Sequence, residues 1–583
     1  MPIDFRNTNS LWASVAAETL AKLGLQTAIL CPGSRSTPLT FAFAQHPHIE
    51  ALPMLDERSA AFFALGCAKR QMQPVALVCT SGTAGANFYP AVIEAYESGV
   101  PLLIFTADRP PEMRDCGAGQ TIDQQRLFGR FTKHFHELAV PVADRHMLAY
   151  LRQMLVGGWG QAIAPTPGPV HFNCPFRDPL PPLADRTTET VATTWNADRF
   201  FAAVVAPTPA TANTPFLQIS PWQQCAKGLI IAGAATPADP QAYCQAAGDL
   251  SALLGWPVIA EGLSPLRNYS ALNSALISTY DIILRNQERA DSLIPENVIQ
   301  LGPLPISKVL REWLQTAQPE RWLVGAERNL DPLHGPTHFL TTDVETLSGL
   351  ALNKPLPESL NPYNERLLAY EKTVREALDR QLAREPLLVE SKVAWLLSKY
   401  LPADTPLFVA NSMPVRDIEC FWQPNDRHIQ PFFSRGANGI DGTLSTALGV
   451  AHRNRATVLL TGDLAFLHDT NGLLNAPQMA GHLTVVLINN QGGGIFETLP
   501  VAQFEPEFEQ YFVTPQQVNF SPLCQTYGIE HRLVGEAEAF VDYIRILPPR
   551  GIRVLEVRCG DDSSAKANRK QSAQQRKALL SSL

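Results

Sequence analysis

The sequence has few of the features that mark membrane, secreted or nucleic-acid-binding proteins. No uninterrupted apolar run reaches the roughly 18 residues that a membrane-spanning helix needs, and the opening residues MPIDFRNTNS lack the basic and apolar stretches of a secretory signal. The 10 cysteines are scattered without a C-x-x-C pair, which argues against a zinc site or a disulfide framework. Basic side chains (47) are fewer than acidic ones (55), so no excess of cations is available to bind nucleic acid. These absences predict a cytoplasmic protein with reduced thiols.

The composition predicts a large folded chain. Of 583 residues, 45% are hydrophobic and only 17% are charged, which is the balance of a packed protein rather than a disordered one. At roughly 150 residues per domain, this length indicates about three or four domains.

Short apolar runs, many of them rich in β-branched residues, alternate with stretches of helical length. This rhythm indicates parallel strands that crossover helices cover on both faces, and hence an α/β fold with doubly wound sheets. The first helix is expected from Ser10 to Leu23, capped by Asn9 and ended by Gly24. The predicted strands are residues 27–30, 75–80, 102–106, 228–233, 257–260, 281–284, 298–302, 321–325, 407–410, 457–463 and 484–490.

Two proline-rich stretches interrupt the rhythm, at residues 178–218 and 353–364. Proline lacks an amide donor and is excluded from buried strands, so both stretches are predicted to be linkers. They divide the chain into three α/β domains, at residues 1–185, 186–355 and 356–583. The polar tail from Ser563 carries five cations, which are expected to lie on a solvated helix or a frayed end.

Polar residues follow two neighbouring strands of the third domain. Gly462-Asp463-Leu464 ends one predicted strand, and Asn489-Asn490 ends the next, followed by Gln491 and three glycines. An aspartate at a strand end is by itself more often a turn residue or a helix cap. Together, however, a carboxylate and an amide oxygen at adjacent strand ends are the hard ligands that Mg²⁺ prefers. The pattern predicts a metal site with Asp463, Asn490 and the Gly492 carbonyl, which glycine flexibility allows to turn inward.

Asp56-Glu57-Arg58 opens a helix-like segment in the first domain. Carboxylates are favoured in the first turn of any helix, so a purely structural role is one interpretation. The other is a functional role, which depends on the family resemblance described below.

Several arginines stand in unusual strings, and some of these strings follow predicted strands, where a cleft would form. Examples are PGSRSTP at 32–38, TADRPP at 106–111, NSMPVRD at 411–417 and SRGANGIDG at 434–442. Any one of these arginines could be a surface residue of little energetic weight. As a set they predict an anionic substrate, because arginine grips carboxylates through two parallel hydrogen bonds.

The Gly-Asp and Asn-Asn motifs resemble the diphosphate–magnesium motif of thiamine-diphosphate (ThDP) enzymes, normally GDG and then NN. Here Leu464 replaces the last glycine, but both proposed side-chain ligands are present. Within that superfamily, the strings CPGSRSTPL, SGTAGANFYPAVIEA, TADRPPE, NSMPVRD and RGANGIDG resemble the 2-succinyl-5-enolpyruvyl-6-hydroxy-3-cyclohexene-1-carboxylate synthases. The resemblance covers nearly the whole chain and is weaker in the central domain.

This resemblance implies three doubly wound domains in the order pyrimidine-binding, central and diphosphate-binding. It implies ThDP as the cofactor, with Mg²⁺, or alternatively Mn²⁺, as the metal. Glu57 would hydrogen-bond the aminopyrimidine ring of the cofactor and promote proton loss from its thiazolium. The implied cofactor-binding residues are Glu57, Ser412, Met413, Ile440, Gly462, Asp463, Asn490 and Ile495.

The resemblance also implies two dicarboxylate substrates, 2-oxoglutarate and isochorismate, in menaquinone or phylloquinone biosynthesis. 2-Oxoglutarate would lose CO₂, and the resulting succinic-semialdehyde carbanion would add in 1,4 fashion to isochorismate. Arg416 and Arg435 would bind the 2-oxoglutarate-derived group, and Ile495 and Phe496 would form an apolar wall beside it. Isochorismate would be held by Ser34, Arg35, Arg109, Gln120 and Lys308. Because such sites form between subunits, a homodimer at least is implied, with a homotetramer as the alternative.

One residue departs from the family pattern, since Gly119 precedes Gln120 where relatives often carry asparagine. Two other functions stay open. One is another ThDP-dependent 2-oxoacid decarboxylase or carboligase, which would need fewer cations. The other is a noncatalytic ThDP-binding regulatory protein, which would not need Glu57.

Overall fold

The computed structural model describes residues 3–205, 220–325, 329–351, 361–558 and 564–581. Eighteen strands in these ranges form three sheets of six, and every paired strand is parallel to its neighbour. The predicted α/β class with three parallel sheets is confirmed.

The first sheet has the strand order β2-β1-β3-β4-β6-β5. Its strands are β1 (Thr27–Leu30), β2 (Glu50–Pro53), β3 (Val75–Cys79), β4 (Leu102–Asp108), β5 (His134–Glu137) and β6 (Val170–Pro175). The helices of this region are α1 (Thr8–Leu23), α2 (Thr37–Ala44), α3 (Glu57–Gln71), α4 (Thr83–Asn87), α5 (Tyr89–Ser98), α6 (Arg145–Ile163), α7 (Glu189–Thr193) and α8 (Ala197–Phe201). All seven residues of β4 are buried, as a central strand covered on both faces requires.

The second sheet has the order β12-β11-β10-β7-β8-β9. Its strands are β7 (Gly228–Ala232), β8 (Val258–Ala260), β9 (Leu276–Ile277), β10 (Asn297–Leu301), β11 (Glu320–Val324) and β12 (Thr337–Leu340). Its helices are α9 (Ser220–Gln224), α10 (Pro240–Leu254), α11 (Tyr280–Ile283), α12 (Gln287–Ser292), α13 (Lys308–Ala317) and α14 (Val344–Ala351).

The third sheet, β14-β13-β15-β16-β18-β17, repeats the strand order of the first. Its strands are β13 (Pro406–Val409), β14 (Gln430–Phe433), β15 (Thr457–Gly462), β16 (His482–Asn489), β17 (Glu530–Val534) and β18 (Gly551–Arg558). The remaining helices are α15 (Pro362–Arg384), α16 (Glu390–Tyr400), α17 (Met413–Phe421), α18 (Thr443–Ala451), α19 (Asp463–His468), α20 (Phe520–Thr526), α21 (Ala537–Arg545) and α22 (Ala565–Ser581).

The chain divides into two compact units. The first comprises Met1–Ala210, Ser434–Asn454 and Leu467–Gly481, and the second comprises Thr211–Phe433, Arg455–Phe466 and His482–Leu583. The first unit therefore contains the first sheet together with α18, and the second contains the other two sheets. The predicted domain boundaries after residues 185 and 355 remain predictions.

Close packing between α3 and α18 explains why α18 belongs to the first unit. A Cβ atom at Gly66 would lie 2.0 Å from the Thr446 carbonyl oxygen, and one at Gly449 would lie 2.1 Å from the Phe63 carbonyl oxygen. Any larger residue at either glycine would push the two helix backbones apart.

Two local predictions are wrong. Residues 281–284, predicted to be a strand, lie mostly in α11, because a run of three apolar residues fits one buried helical turn equally well. The cap of α1 is Asn7, whose side chain accepts a hydrogen bond from the Ser10 amide. Asn9 lies inside that helix and donates to the carbonyls of Arg177 and Pro179. The end of α1 at Gly24, with φ of 109°, is as predicted.

The predicted linkers are only partly described. In the first, residues 206–218 lie outside the described residues, and the part before them contains α7 and α8. In the second, residues 353–360 lie outside the described residues, whereas Asn361 caps α15 and Pro362 begins it. Among helices in the described part of the chain, none combines the length and apolar character that crossing a membrane requires.

Candidate active site

In the second unit, Asp463 and the loop after β16 meet at one edge of the third sheet. β15 and β16 are paired neighbours, and Gly462 stands opposite Ile488. Asp463 directly follows β15 and is 3% exposed. One of its carboxylate oxygens accepts from the Leu464 amide and the other from the Gly492 amide, each at 2.9 Å. The two predicted halves of the metal motif are therefore in contact.

Asn490 has one half of its amide satisfied and the other half unpaired. Its Nδ2 donates to Glu390 Oε1 at 2.9 Å, whereas its Oδ1 is buried and has no hydrogen-bond partner among the described residues. The carbonyl of Gly492 accepts from the Gly494 amide at 2.9 Å, which leaves its second lone pair. A buried amide oxygen without a partner is costly, and coordination to a cation would satisfy it.

The place where Asp463, Asn490 and Gly492 meet is called the metal corner here. Its electrostatics also favour a cation. Burial raises the pKa of the Asp463 carboxyl to about 6, and the nearby Glu390 adds to that rise. Burial likewise raises the pKa of Glu390 above its ordinary value. No group of three or more His, Cys, Asp or Glu side chains in the described ranges could hold a metal. One carboxylate with an amide oxygen and a carbonyl oxygen fits a hard ion that completes its coordination with water and ligand phosphates, as Mg²⁺ does.

Glycine is required in the loop after Asn490. Gly492 has φ of 145°, and a Cβ atom there would lie 2.7 Å from the Val513 carbonyl oxygen. A Cβ atom at Gly494 would lie 2.6 Å from Asn490 Nδ2. The glycines thus allow the loop to pass close to both the metal corner and the segment around Val513.

Ser412, Met413 and Arg416 lie beyond the carboxyl end of β13, which pairs with β15 at the same edge of the sheet. Ser412 has φ of 72°, and Met413, which is buried, begins α17. Arg416 is half-buried, and its Nη1 donates to the Ser412 carbonyl at 2.6 Å. Its side chain is thereby folded back over the start of the helix.

Ile495 and Phe496 lie in a short 3₁₀ helix, Gly494–Thr498, directly after the glycine loop. Both are half-buried. The Phe496 ring meets the Phe512 ring edge-on, with centroids 5.9 Å apart. This places an apolar surface next to the metal corner.

In the first unit, Glu57 is the first residue of α3. The cap of that helix is Asp56, which accepts from the amides of Arg58 and Ser59. Glu57 is half-buried, and its carboxylate has no hydrogen bond or ion pair within the described residues. Burial raises the pKa of the Cys31 and Cys79 thiols, and the nearby charge of Glu57 raises the pKa of both further. The capping role thus falls to Asp56 and leaves Glu57 available.

Arg109 and Gln120 converge on the loop that follows β3. Arg109 Nη1 donates to the Ser81 hydroxyl, and Gln120 Nε2 donates to the Ser81 carbonyl at 3.0 Å. The next amide, of Gly82, donates to Gln124 Oε1 at 2.8 Å. The strings around residues 81, 109 and 120 therefore form one cluster.

Ser34 and Arg35 lie in the loop after β1, which packs against the loop after β3. A Cβ atom at Gly33 would lie 2.2 Å from Thr80 Cβ, so the two loops touch. Arg35 is 8% exposed, donates to the Phe176 carbonyl at 2.9 Å, and has a buried Nε without a partner in the described residues. Burial, and then the charge of Arg109, lowers the pKa of Arg35. Ser34 is exposed.

Arg435 and Ile440 belong to the first unit, and both are half-buried. Their loop is anchored by Glu94, a buried residue of α5, whose carboxylate accepts from the amides of Gly436 at 3.0 Å and Ala437 at 2.6 Å. At its other end, a Cβ atom at Gly442 would overlap the Phe62 ring of α3 at 1.9 Å.

Lys308 is the first residue of α13 in the second unit, and it is exposed. The other residues predicted to bind isochorismate all lie in the first unit. Lys308 therefore belongs to a different unit from that cluster.

Four residues that hold these clusters in place are not among the predicted site residues: Ser81, Glu94, Gln124 and Glu390. Ser81 and Glu94 stand inside the string SGTAGANFYPAVIEA, and Gln124 stands four residues after Gln120, so their position was a usable signal. Glu390 has only a weak signal, as a carboxylate at the head of the apolar helix ESKVAWLLSKY.

Comparison with known proteins gives matches along the whole chain. Residues 12–127 match the thiamine pyrophosphate enzyme N-terminal TPP binding domain, residues 192–409 the middle domain, and residues 418–553 the C-terminal TPP binding domain. Curated proteins named 2-succinyl-5-enolpyruvyl-6-hydroxy-3-cyclohexene-1-carboxylate synthase are similar over nearly their full lengths. The one from Nostoc sp. is 55% identical, covering 100% of this chain and 99% of the relative. Those from Acaryochloris marina and Trichodesmium erythraeum are 55% and 54% identical, covering 96% of this chain and 97% and 96% of the relatives. The chain therefore belongs to the family of 2-succinyl-5-enolpyruvyl-6-hydroxy-3-cyclohexene-1-carboxylate synthases, within the thiamine-diphosphate enzymes.

Proposed function

We propose that this chain decarboxylates 2-oxoglutarate and joins the remaining succinic-semialdehyde carbanion to isochorismate by 1,4-addition. The products are 2-succinyl-5-enolpyruvyl-6-hydroxy-3-cyclohexene-1-carboxylate and CO₂. The observation that carries this proposal is the contact between Asp463 and the Asn490–Gly492 loop, in a chain that aligns from end to end with synthases of this name. ThDP supplies the electron sink for decarboxylation, and Asp463, Asn490 and Gly492 would hold its Mg²⁺.

The protein's own contribution is to orient two dianions and to limit water. Arg35, Arg109 and Gln120 form a polar cluster that suits isochorismate, joined in the proposal by Ser34 and Lys308. The buried Nε of Arg35 supports this role, because it lacks a partner within the described residues. Arg416 and Arg435 bind the 2-oxoglutarate-derived group. The apolar surface of Ile495 and Phe496 would exclude water beside the 2-oxoglutarate-derived group.

The assay that tests this function follows isochorismate loss spectrophotometrically, with 2-oxoglutarate, ThDP and Mg²⁺ each omitted in turn. We expect consumption to require every component and to release CO₂. Release of CO₂ without isochorismate loss would instead identify a decarboxylase with another acceptor. Binding of ThDP without any reaction would identify a regulatory protein.

Truncating the arginines should separate the two substrates. Arg416→Ala or Arg435→Ala should raise the KM for 2-oxoglutarate about 10- to 100-fold, the loss expected for a charged hydrogen bond of about 1.5–3 kcal/mol. The KM for isochorismate should change much less. Arg455→Ala is the control, because Arg455 is an exposed arginine of the second unit paired with Asp404. A rise confined to isochorismate would reverse the division of the pocket.

Restoring the usual asparagine at position 119 should strengthen isochorismate binding. A Cβ atom at Gly119 meets nothing within 4 Å, and its φ is not positive, so Gly119→Asn fits without strain. One added neutral hydrogen bond of about 0.5–1.5 kcal/mol corresponds to a KM about 2- to 10-fold lower. Gly119→Ala controls for backbone stiffening. Equal KM values in the two variants would show that the amide makes no substrate contact.

We also propose a homodimer at least, acting in the cytoplasm. Large apolar side chains such as Leu55, Phe504 and Tyr511 are 59–67% exposed in the single chain, which suits burial against another subunit. The nine cysteines in the described ranges are free, as in a reducing compartment. Light scattering after size-exclusion chromatography would distinguish a monomer, a dimer and a tetramer.

A further inference from the structure

The C-terminal helix α22 does not carry its cations into solvent as the sequence predicts. Arg569 is 2% exposed, and Arg576 is half-buried. The two are seven residues apart, which is two helical turns, so they lie on the same face of α22. Lys570 and Lys577, one residue further on in each case, are exposed. The prediction of a solvated tail is therefore wrong for these two arginines.

Arg569 grips the loop that carries the proposed metal ligands. Its Nη1 donates to the carbonyls of Asn490 at 3.2 Å and Gln491 at 3.0 Å. Its Nη2 pairs with Glu509, and its Nε lies 3.8 Å from Glu497. The Arg569 guanidinium thus links the backbone of the loop after β16 to Glu497 and Glu509, which lie further along the chain.

Arg576 makes the corresponding contacts with α17. It pairs with Asp417 and donates through Nη2 to the Arg416 carbonyl at 3.0 Å. Its guanidinium also lies over the Phe421 ring, 5.0 Å from the centroid. Burial lowers the pKa of Arg576 to about 10, although Glu390 opposes that shift. Arg576 therefore fixes the helix from which Arg416 projects.

Arg569 holds backbone that needs outside support. Gln491, whose carbonyl it bonds, has φ of 57°, a conformation that side-chain-bearing residues adopt only at a cost. Burying a cation is costly, and the pair with Glu509 and the two carbonyl bonds offset part of that cost for Arg569.

We propose that α22 is a positioning element. Arg569 positions the loop that carries Asn490 and Gly492, and Arg576 positions α17, the helix that carries Arg416. The inference rests on the proposed function, because it assigns these contacts to ThDP–Mg²⁺ and 2-oxoglutarate. Arg569 holds the peptides of residues 490 and 491 so that Asn490 Oδ1 and Gly492 keep their orientation at the metal corner. Neither arginine is placed in contact with substrate or cofactor.

The test measures ThDP binding to the cofactor-free protein by calorimetry over a range of Mg²⁺ concentrations, without substrate. Arg569→Lys keeps the charge but not the forked donors, and the triple variant Arg569→Met/Glu497→Gln/Glu509→Gln removes the cation together with the two carboxylates that face it. Both should weaken metal-dependent ThDP binding about 10- to 100-fold, as loss of groups behind metal ligands does. Lys577→Met, on the exposed side of the same helix, should bind as the wild type does.

Arg576→Lys should behave differently from the Arg569 variants. Its ThDP affinity should equal that of the wild type, while the KM for 2-oxoglutarate rises about tenfold, the effect of a displaced charged contact. If the Arg569 variants bind ThDP as Lys577→Met does and only their melting temperature falls, α22 is a structural helix and the proposal is overturned. If the wild type itself binds no ThDP, the proposed function fails instead, independently of the α22 variants.

Discussion

Replacing Glu57 with glutamine should abolish nearly all turnover while leaving ThDP and Mg²⁺ bound. Glutamine has the same shape, so the start of α3 is preserved, and the helix is capped by Asp56 rather than by Glu57. An amide does not exchange a proton with the aminopyrimidine ring as a carboxyl group does. The loss of one positioned acid–base group corresponds to a fall in kcat of about 100-fold or more.

The position of Glu57 makes this substitution a clean test. Its carboxylate has no protein partner within the described residues, so Glu57→Gln breaks no hydrogen bond or ion pair there. The matched control is Asp56→Asn, which removes the neighbouring charge but keeps an oxygen that caps α3. The control should retain most of its turnover. Comparable losses in both variants would mean that turnover depends on the negative charge at the start of α3 rather than on Glu57 itself. Wild-type turnover in Glu57→Gln would remove Glu57 from the mechanism.

Much of the fold was predictable because buried parallel strands have a strong sequence signature. β4 and β16 are buried at every position, and both appear in the sequence as continuous apolar runs. Strands that mix polar with apolar residues lack that signature. The edge strands β14 and β17 carry exposed residues and were not predicted, and neither were the buried inner strands β6 and β18, whose sequences VHFNCP and GIRVLEVR contain polar residues. The strand prediction for residues 281–284 was wrong because a short buried helix has the same composition as a buried strand.

Site residues that belong to local sequence motifs were predictable. Residues that contact them from distant parts of the sequence were not. Asp463 and Asn490 follow adjacent strands, so their meeting at one edge of the sheet follows from topology alone. Glu390 contacts Asn490 across 100 residues of sequence, and Arg569 contacts it across 79. The local sequence around Arg569 does not distinguish a buried partner from a solvated charge, and that around Glu390 does so only weakly. Such residues become visible only when the three-dimensional packing is known.

The metal corner gives the second large effect, because Asp463 is the only carboxylate among its three proposed ligands. Asp463→Asn keeps one oxygen that can accept from the Gly492 amide, at the loss of the bond from the neighbouring Leu464 amide, so the loop after β16 should remain in place. It removes the negative charge that a divalent cation requires in a buried site. We expect metal-dependent ThDP binding to weaken about 100-fold or more, which corresponds to about 2.7 kcal/mol. Calorimetric titration of ThDP at several Mg²⁺ concentrations measures this directly.

Asp469→Asn is the matched control for that substitution. Asp469 is also fully buried, its pKa is also raised by burial to about 6, and it also accepts a backbone amide, from Ser445. It lies in the first unit, whereas Asp463 lies in the second. Loss of a buried aspartate should therefore shift the melting temperature in both variants, but only Asp463→Asn should lose the response to Mg²⁺. If Asp469→Asn weakened ThDP binding equally, the effect would come from disturbed packing. The assignment of Asp463 as a metal ligand would then fall, because a ligand's loss must act through the metal and not through the fold.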